Sequence, residues 1–117
     1  MDTPINKINN WLGATGQVQP GDLEAIAKVG FRSVINNRPD MEGGPEQPSS
    51  AAIGAAAEAA GLKYAYLPVV SSAINEGNVK DMSELLDSLP RPILAFCRSG
   101  ARSTHLYNLA QPLLDNK

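Results

Sequence analysis

The sequence at positions 91–110, RPILAFCRSGARSTHLYNLA, decides the fold. Within it, Ile93–Phe96 form a short apolar run without a charge, which predicts a strand buried on both faces of a parallel sheet. Cys97 stands where this run ends, and a helical spacing of apolar residues begins at about Ser103. When a strand is followed by a tight loop and then by the N-terminus of a helix, the backbone N–H groups of the loop point toward a common position. The stretch therefore predicts an anion-binding loop at a helix N-terminus.

Cys97 is predicted to be a reactive thiolate. A free thiol has a pKa of about 8.5, and a helix N-terminus or a neighbouring arginine lowers it. Arg98 and Arg102 both lie within five positions of Cys97. The alternative is an inert cysteine buried at the end of a core strand. Two arginines disfavour it, because arginine is rarely buried without an anionic partner.

The other loop residues supply the remaining groups of the predicted site. Gly100 permits a positive φ or a close backbone approach, as a ring of inward-pointing amides often requires. Ser103 is expected to cap the helix or to donate its hydroxyl to the sulfur. The candidate catalytic residues are Cys97 and Arg102, and the candidate substrate-binding residues are Arg98, Ser99, Gly100, Ala101, Ser103 and Arg38.

Composition limits the classes of function. The chain has 117 residues, 43% of them apolar and 19% charged, which predicts one globular domain over residues 1–117. A net charge of −2 without a basic run gives no sign of a nucleic-acid surface. One cysteine cannot form an internal disulfide, and one histidine gives no zinc-ligand cluster, so no metal or other cofactor is expected. Because the N-terminus lacks an apolar segment, we expect a cytoplasmic protein with no membrane partner.

Strand and helix patterns alternate along the chain. Predicted strands cover residues 8–12, 31–36, 64–67 and 93–96, and predicted helices follow each of them. The last predicted helix ends near Gln111 because Pro112 cannot continue it. This order predicts an α/β sandwich with a mainly parallel sheet flanked by helices. The loops after Asn36, Leu67 and Phe96 should then meet at the carboxyl edge of that sheet.

The motif CRSGARS after an apolar strand resembles the active-site loop of two classes of cysteine enzyme, the protein tyrosine and dual-specificity phosphatases and the rhodanese sulfurtransferases. The segments WLGATGQ, DLEAIAKVGFRSVINNR and YLPV precede it in the order typical of dual-specificity phosphatases. Over its full length the chain resembles the phosphatase-like domain of beta-lactamase hydrolase-like proteins. The resemblance implies a three-layer sandwich of the protein tyrosine/dual-specificity phosphatase type.

Two features depart from the phosphatase pattern. Four residues separate Cys97 from Arg102, whereas the phosphatase signature has five and rhodanese loops have the shorter form. A smaller ring of amides should suit a single sulfur atom better than a phosphoryl group. In addition, phosphatases of this fold carry an aspartate that acts as general acid in the loop after the YLPV-like strand. The corresponding residues 69–75 of this chain include no carboxylate. Losing such an acid typically costs on the order of 10²–10⁴ in rate.

These departures favour a rhodanese-like sulfurtransferase. Cys97 would take the outer sulfur of thiosulfate or of a small persulfide and pass it to a thiol or to sulfite. A sulfide-oxidising enzyme is an expected partner. The first alternative is a phosphatase that forms a cysteinyl-phosphate, for which Asp40, Glu42 or Glu76 would have to supply the acid. The second is a non-catalytic module that binds an anion or senses redox state through Cys97.

Overall fold

Five strands form one sheet in the computed structural model, which describes residues 3–114. In chain order they are β1 (Ile5–Lys7), β2 (Leu12–Thr15), β3 (Ser33–Asn36), β4 (Lys63–Tyr66) and β5 (Ile93–Phe96). Their spatial order is β1-β2-β5-β3-β4, which places β5 at the centre. Only β1 is antiparallel to its neighbour, so the prediction of a mainly parallel sheet is confirmed.

Three α-helices connect successive strands and a fourth follows β5, and local signals in the sequence explain their ends. They are α1 (Leu23–Val29), α2 (Ser50–Ala59), α3 (Glu76–Ser88) and α4 (Ala101–Ala110). The hydroxyl of Ser49 caps α2 by accepting a hydrogen bond from the amide of Ala52. The side chain of Asn75 caps α3 in the same way. Gly30 has a φ of 120° at the end of α1, a conformation that residues with a Cβ rarely adopt.

The helices cover both faces of the sheet and give three layers. Leu94 and Phe96 of β5 pack in a core with Leu23 of α1 and Ile53 of α2. On the other face, Ile93 and Ala95 of the same strand belong to a core formed with residues of α3 and α4. This alternation follows from the two-residue period of a strand. It explains why β5 carries an apolar residue at every position.

The N-terminal strand prediction is wrong in its position. Residues 8–12 lie mostly in a turn between β1 and β2, and residues 13–15, beyond the predicted strand, belong to β2. Gly13 lies in a strand because a Cβ there would come within 3.0 Å of Ile5 Cγ2 and 3.2 Å of Phe31 Cζ. Its lack of a side chain therefore serves close packing rather than a turn.

The carboxyl ends of β3, β4 and β5 meet as expected. Phe96 O accepts a hydrogen bond of 2.8 Å from the amide of Asn37, and Asn37 O accepts one of 3.1 Å from the amide of Val69. These bonds join the segments that follow the three strands at one edge of the sheet, next to the N-terminus of α4. Within residues 3–114, none of the helices combines the length and the apolar character that crossing a bilayer requires.

Candidate active site

The sulfur of Cys97 lies in a ring of backbone amides. Cys97 is buried at the end of β5, and Sγ accepts a hydrogen bond of 3.1 Å from the amide of Gly100. Burial alone would raise the pKa of the thiol, but hydrogen bonds from the amides of Ser103, Ser99 and Gly100 and from the Ser103 hydroxyl outweigh it. The net effect lowers the pKa of Cys97 below that of an ordinary thiol. The loop therefore favours the thiolate, which is the nucleophilic form.

Gly100 makes this ring possible. Its φ is +94°, and a Cβ there would lie 3.3 Å from the carbonyl carbon and oxygen of Thr15. The residue therefore has to be glycine both for its backbone conformation and for the approach of β2. Ala101 begins α4, and Gly100 occupies the N-cap position. Ser103 therefore does not cap the helix, and the alternative that gave it that role is wrong.

Arg102 is the most constrained charged group of the loop. Only 8% of its side chain is exposed, and its Nη1 and Nη2 atoms bind the two carboxylate oxygens of Glu42 at 3.1 and 3.0 Å. Nη1 also donates to Val69 O at 2.9 Å and to Asn37 O at 3.4 Å. Its Nε–H is buried and has no hydrogen-bond partner among the described residues. This N–H and the second hydrogen of Nη2 form the edge of the guanidinium that remains for an anion.

Glu42 connects two of the predicted site residues. Its Oε1 accepts hydrogen bonds of 3.0 Å from Arg102 Nη2 and of 3.0 Å from Arg38 Nε. Burial alone would raise the pKa of this carboxyl. The hydrogen bonds and positive charges of Arg102 and Arg38 lower it by more than burial raises it, so the net pKa lies below 4.5. Arg38 is held on its other side by Gln17 Oε1 at 3.0 Å. Glu42 is therefore ionised near neutral pH and holds both arginines in place.

The arginines of the site line one polar cavity of about 420 Å³. It is bounded by Arg38, Glu42, Gly43, Arg98 and Arg102, which together carry three positive charges and one negative charge. The side chain of Arg98 is exposed and also lines a larger groove on the β2 side of the loop. His105 lies in that second groove. The structure thus brings Arg38, Arg98 and Arg102 together.

The three carboxylates considered as general acids lie in different surroundings. Asp40 Oδ1 accepts a hydrogen bond of 2.8 Å from the amide of Ser50, so this side chain serves the start of α2. Glu76 is the first residue of α3 and lines a groove with Leu109 and Leu113. Glu42 is the one that reaches the cysteine loop, but its lowered pKa makes it a poor proton donor.

Asn37 is a site residue that the sequence analysis did not identify. It follows β3, is fully buried, and its Oδ1 accepts a hydrogen bond of 2.8 Å from Ser103 Oγ. The paired role of Glu42 was missed as well, because Glu42 had been considered only as an acid. Each residue had a signal in the sequence. Asn37 lies in the loop after Asn36, which was expected at this edge of the sheet, and Glu42 is the anionic partner that a buried Arg102 requires.

The fold and the thiolate loop together define a phosphatase-like α/β domain. The model of one protein family, described as "Beta-lactamase hydrolase-like protein, phosphatase-like domain", matches residues 5–114. The chain belongs to this family. It is 36% identical over 107 residues to a beta-lactamase hydrolase-like protein of Xylella fastidiosa. That match covers 92% of this chain and 25% of the relative, so the chain spans about a quarter of the relative's length.

Solved structures of phosphatases share the fold. A candidate phosphatase of Neisseria meningitidis superimposes with a TM-score of 0.80 at 33% identity, over 86% of this chain and 71% of that one. TpbA of P. aeruginosa, solved as a C132S variant with pTyr, gives a TM-score of 0.68 at 13% identity over 95% of this chain and 65% of that one. The second likeness shows the fold alone. The family and the Neisseria structure favour the phosphatase alternative, a phosphatase-like hydrolase, and they give no support to sulfur transfer.

Proposed function

We propose that this phosphatase-like domain uses the Cys97 thiolate to transfer sulfane sulfur from a small anionic donor such as thiosulfate. The observation that carries the proposal is the state of Glu42. Within residues 3–114 it is the carboxylate that binds Arg102 of the cysteine loop, and two arginines keep it ionised. The site therefore combines a nucleophile and an anion-binding arginine with a carboxylate unsuited to protonating a leaving group.

Sulfur transfer proceeds without such a proton donor. The thiolate of Cys97 forms an S–S bond with the outer sulfur of thiosulfate, the S–S bond of the donor breaks, and sulfite leaves with the electron pair. Sulfite is already a stable anion near neutral pH. An acceptor thiolate then attacks the outer sulfur of the persulfide, and Cys97 leaves as a thiolate. The backbone amides that now stabilise Sγ are suited to stabilise the anionic outer sulfur of the intermediate.

The cavity supports a compact, highly charged substrate. Its charges sum to +2, which complements a dianion, and the free edge of Arg102 offers the pair of N–H donors that two oxygens of a sulfonate group would require. Its lining includes neither an aromatic ring nor a large aliphatic side chain that would hold an aryl group. We propose a small thiol or sulfite as the acceptor, with a sulfide-oxidising enzyme as the source of donor or the user of product.

Intact-mass spectrometry tests the proposal directly. After incubation with thiosulfate and removal of excess donor, the protein should gain the mass of one sulfur atom. A thiol or cyanide should reverse the gain, and Cys97→Ala should not show it. If the wild-type protein gains no sulfur from either thiosulfate or a glutathione persulfide, sulfur transfer is excluded as its activity.

The second candidate is a cysteine-dependent phosphatase, which the family and the structural neighbours favour. The free edge of Arg102 also suits two phosphoryl oxygens. Without an acid, we expect such an activity to be restricted to phosphate esters with a good leaving group. Rates measured with an aryl phosphate and an alkyl phosphate separate the candidates. Efficient cleavage of the alkyl ester, dependent on Cys97 and unaccompanied by a sulfur adduct, would assign the protein to the phosphatases.

A further inference from the structure

Asn37 is held in one orientation beside the cysteine loop. Its Nδ2 donates a hydrogen bond of 3.1 Å to Leu67 O and lies 3.9 Å from the sulfur of Met82. A backbone carbonyl only accepts hydrogen bonds, so this contact fixes the amide and turns Oδ1 toward Ser103. Ser103 Oγ donates to that oxygen at 2.8 Å. Both residues are almost completely buried, so water does not substitute for either partner.

The hydroxyl of Ser103 has a second potential acceptor. It also contributes a side-chain hydrogen bond to the sulfur that lowers the pKa of the Cys97 thiol. A hydroxyl has one proton to donate, so Asn37 and the sulfur compete for it. A thiolate sulfur accepts hydrogen bonds strongly. The Cys97 sulfur accepts them only weakly when it is a thiol, when it carries a persulfide sulfur, or when it is part of a cysteinyl-phosphate. The direction of the hydroxyl should therefore depend on the chemical state of Cys97.

We propose that Asn37 is a positioning residue of the reaction, which accepts the Ser103 hydrogen bond while Cys97 is protonated or covalently loaded and yields it when the thiolate forms. The proton stays on Ser103 Oγ throughout, and only its direction changes. The inference rests on the proposed use of a Cys97 thiolate, and it applies equally to sulfur and phosphoryl transfer. Without Asn37, the hydroxyl would have no acceptor in the loaded state, and that state would be less stable.

The replacement Asn37→Leu keeps the branched shape of the side chain, at a somewhat larger volume, and removes the acceptor. We expect the pKa of Cys97 to fall by about half to one unit, since one neutral hydrogen bond no longer favours the protonated form. A purely structural role predicts the opposite, because a loosened ring of amides would raise this pKa. The pH dependence of iodoacetamide alkylation measures the shift. The charged and titratable groups around the loop stay unchanged in the variant: Arg38, Glu42, Arg98, Arg102 and His105.

Asn36→Leu is the matched control. Asn36 is the adjacent buried asparagine; its Nδ2 donates to the Tyr64 hydroxyl and its Oδ1 accepts a hydrogen bond from the amide of Arg38, so its bonds do not involve Ser103. This control should leave the alkylation profile within about 0.2 units, well below the shift expected from one hydrogen bond. Ser103→Ala provides a second test. Because Asn37 acts through Ser103, adding Asn37→Leu to Ser103→Ala should produce no further shift.

Nuclear magnetic resonance tests the inference without any substitution at Asn37. The side-chain amide signals of Asn37 should titrate with the pKa of Cys97 in the wild-type protein and not in Ser103→Ala. Three results would overturn the proposal. They are a raised Cys97 pKa in Asn37→Leu, a further shift of this pKa when Asn37→Leu is added to Ser103→Ala, and an Asn37 side-chain amide that does not titrate in the wild type. The thiosulfate mass assay on the same samples judges the proposed function separately. A missing sulfur adduct in the wild type counts against sulfur transfer and leaves the pKa result for Asn37 to stand on its own.

Discussion

Glu42 is the residue whose charge should contribute most visibly to stability. Its carboxylate pairs with Arg102, which has only 8% of its side chain exposed, while Glu42 itself is 27% exposed. Removing one partner of a partly buried ion pair leaves an uncompensated charge, and exposure of the pair to solvent reduces the cost. We expect Glu42→Gln to lower the free energy of unfolding by about 1–2 kcal/mol at pH 7. Chemical denaturation measures it, with the exposed Glu58→Gln as a control expected to change little.

The pH dependence of this effect has a defined sign. Burial opposes the charged form of Glu42, but the bonds from Arg102 and Arg38 hold its folded pKa below 4.5. A depressed carboxyl pKa stabilises the fold above the unfolded-state pKa, and this stabilisation is lost as the pH falls through the folded value. The difference between wild type and Glu42→Gln should therefore be full at pH 7 and shrink below about pH 4. An equal difference at both ends of this range would contradict the pairing.

The cysteine loop and α4 were predictable because their signals are contiguous. An apolar run, a cysteine, a glycine and an arginine within ten positions specify β5 and the loop. The start of α4 was misplaced by two residues, at Ser103 instead of Ala101, because the N-cap is a glycine with positive φ and no capping side chain. The strand β2 was misread because Gly13 has a packing role that depends on Ile5 and Phe31, which lie elsewhere in the sequence.

Lengthening the loop between β5 and α4 tests whether its size selects sulfur. An alanine inserted between Gly100 and Ala101 would place five residues between Cys97 and the arginine. We expect sulfur transfer to fall by at least about tenfold, the effect of losing one or two hydrogen bonds in the ring of amides around the sulfur. Cleavage of an aryl phosphate should rise in the same variant. An alanine inserted after Gly30, at the opposite edge of the sheet, serves as the control.

The result of the insertion would distinguish the two candidate activities. If the lengthened loop transfers sulfur as fast as the wild type, loop size does not decide the chemistry. If the unmodified protein already cleaves phosphate esters efficiently, the size argument is wrong. The control insertion should retain the wild-type activity, because Gly30 lies in an exposed turn at the end of α1.

At the level of the whole molecule, the topology explains what the sequence alone did not provide. Arg102 and Glu42 are 60 positions apart in the sequence, and Asn37 and Ser103 are 66 positions apart. A local sequence pattern therefore cannot predict either contact. The parallel order of β3, β4 and β5 brings them together at one edge. The position of that edge was predictable from the alternation of strands and helices. Which side chains meet there depends on packing, and that required the structure.

The charge distribution of the molecule leads to a last prediction. The chain carries a net charge of −2, yet the cavity lined by Arg38, Arg98 and Arg102 has a net charge of +2 from its lining residues. Attraction of a dianionic donor should therefore be local and sensitive to screening, since the Debye length falls from about 30 Å at 0.01 M to about 8 Å at 0.15 M salt. We expect KM for thiosulfate to rise several-fold over this range, with kcat nearly constant, because screening weakens binding more than chemistry.

Arg98→Gln identifies the source of this salt effect. Arg98 is the exposed arginine of the cavity, so its charge is the one that salt screens most. The variant should show a higher KM at low salt and a flatter dependence on ionic strength, while its sulfur adduct still forms. Sodium chloride and sodium acetate should give the same curve, which separates screening from competition by a particular anion. A KM that does not change with salt in the wild type would mean that the three arginines do not attract the donor through their charge.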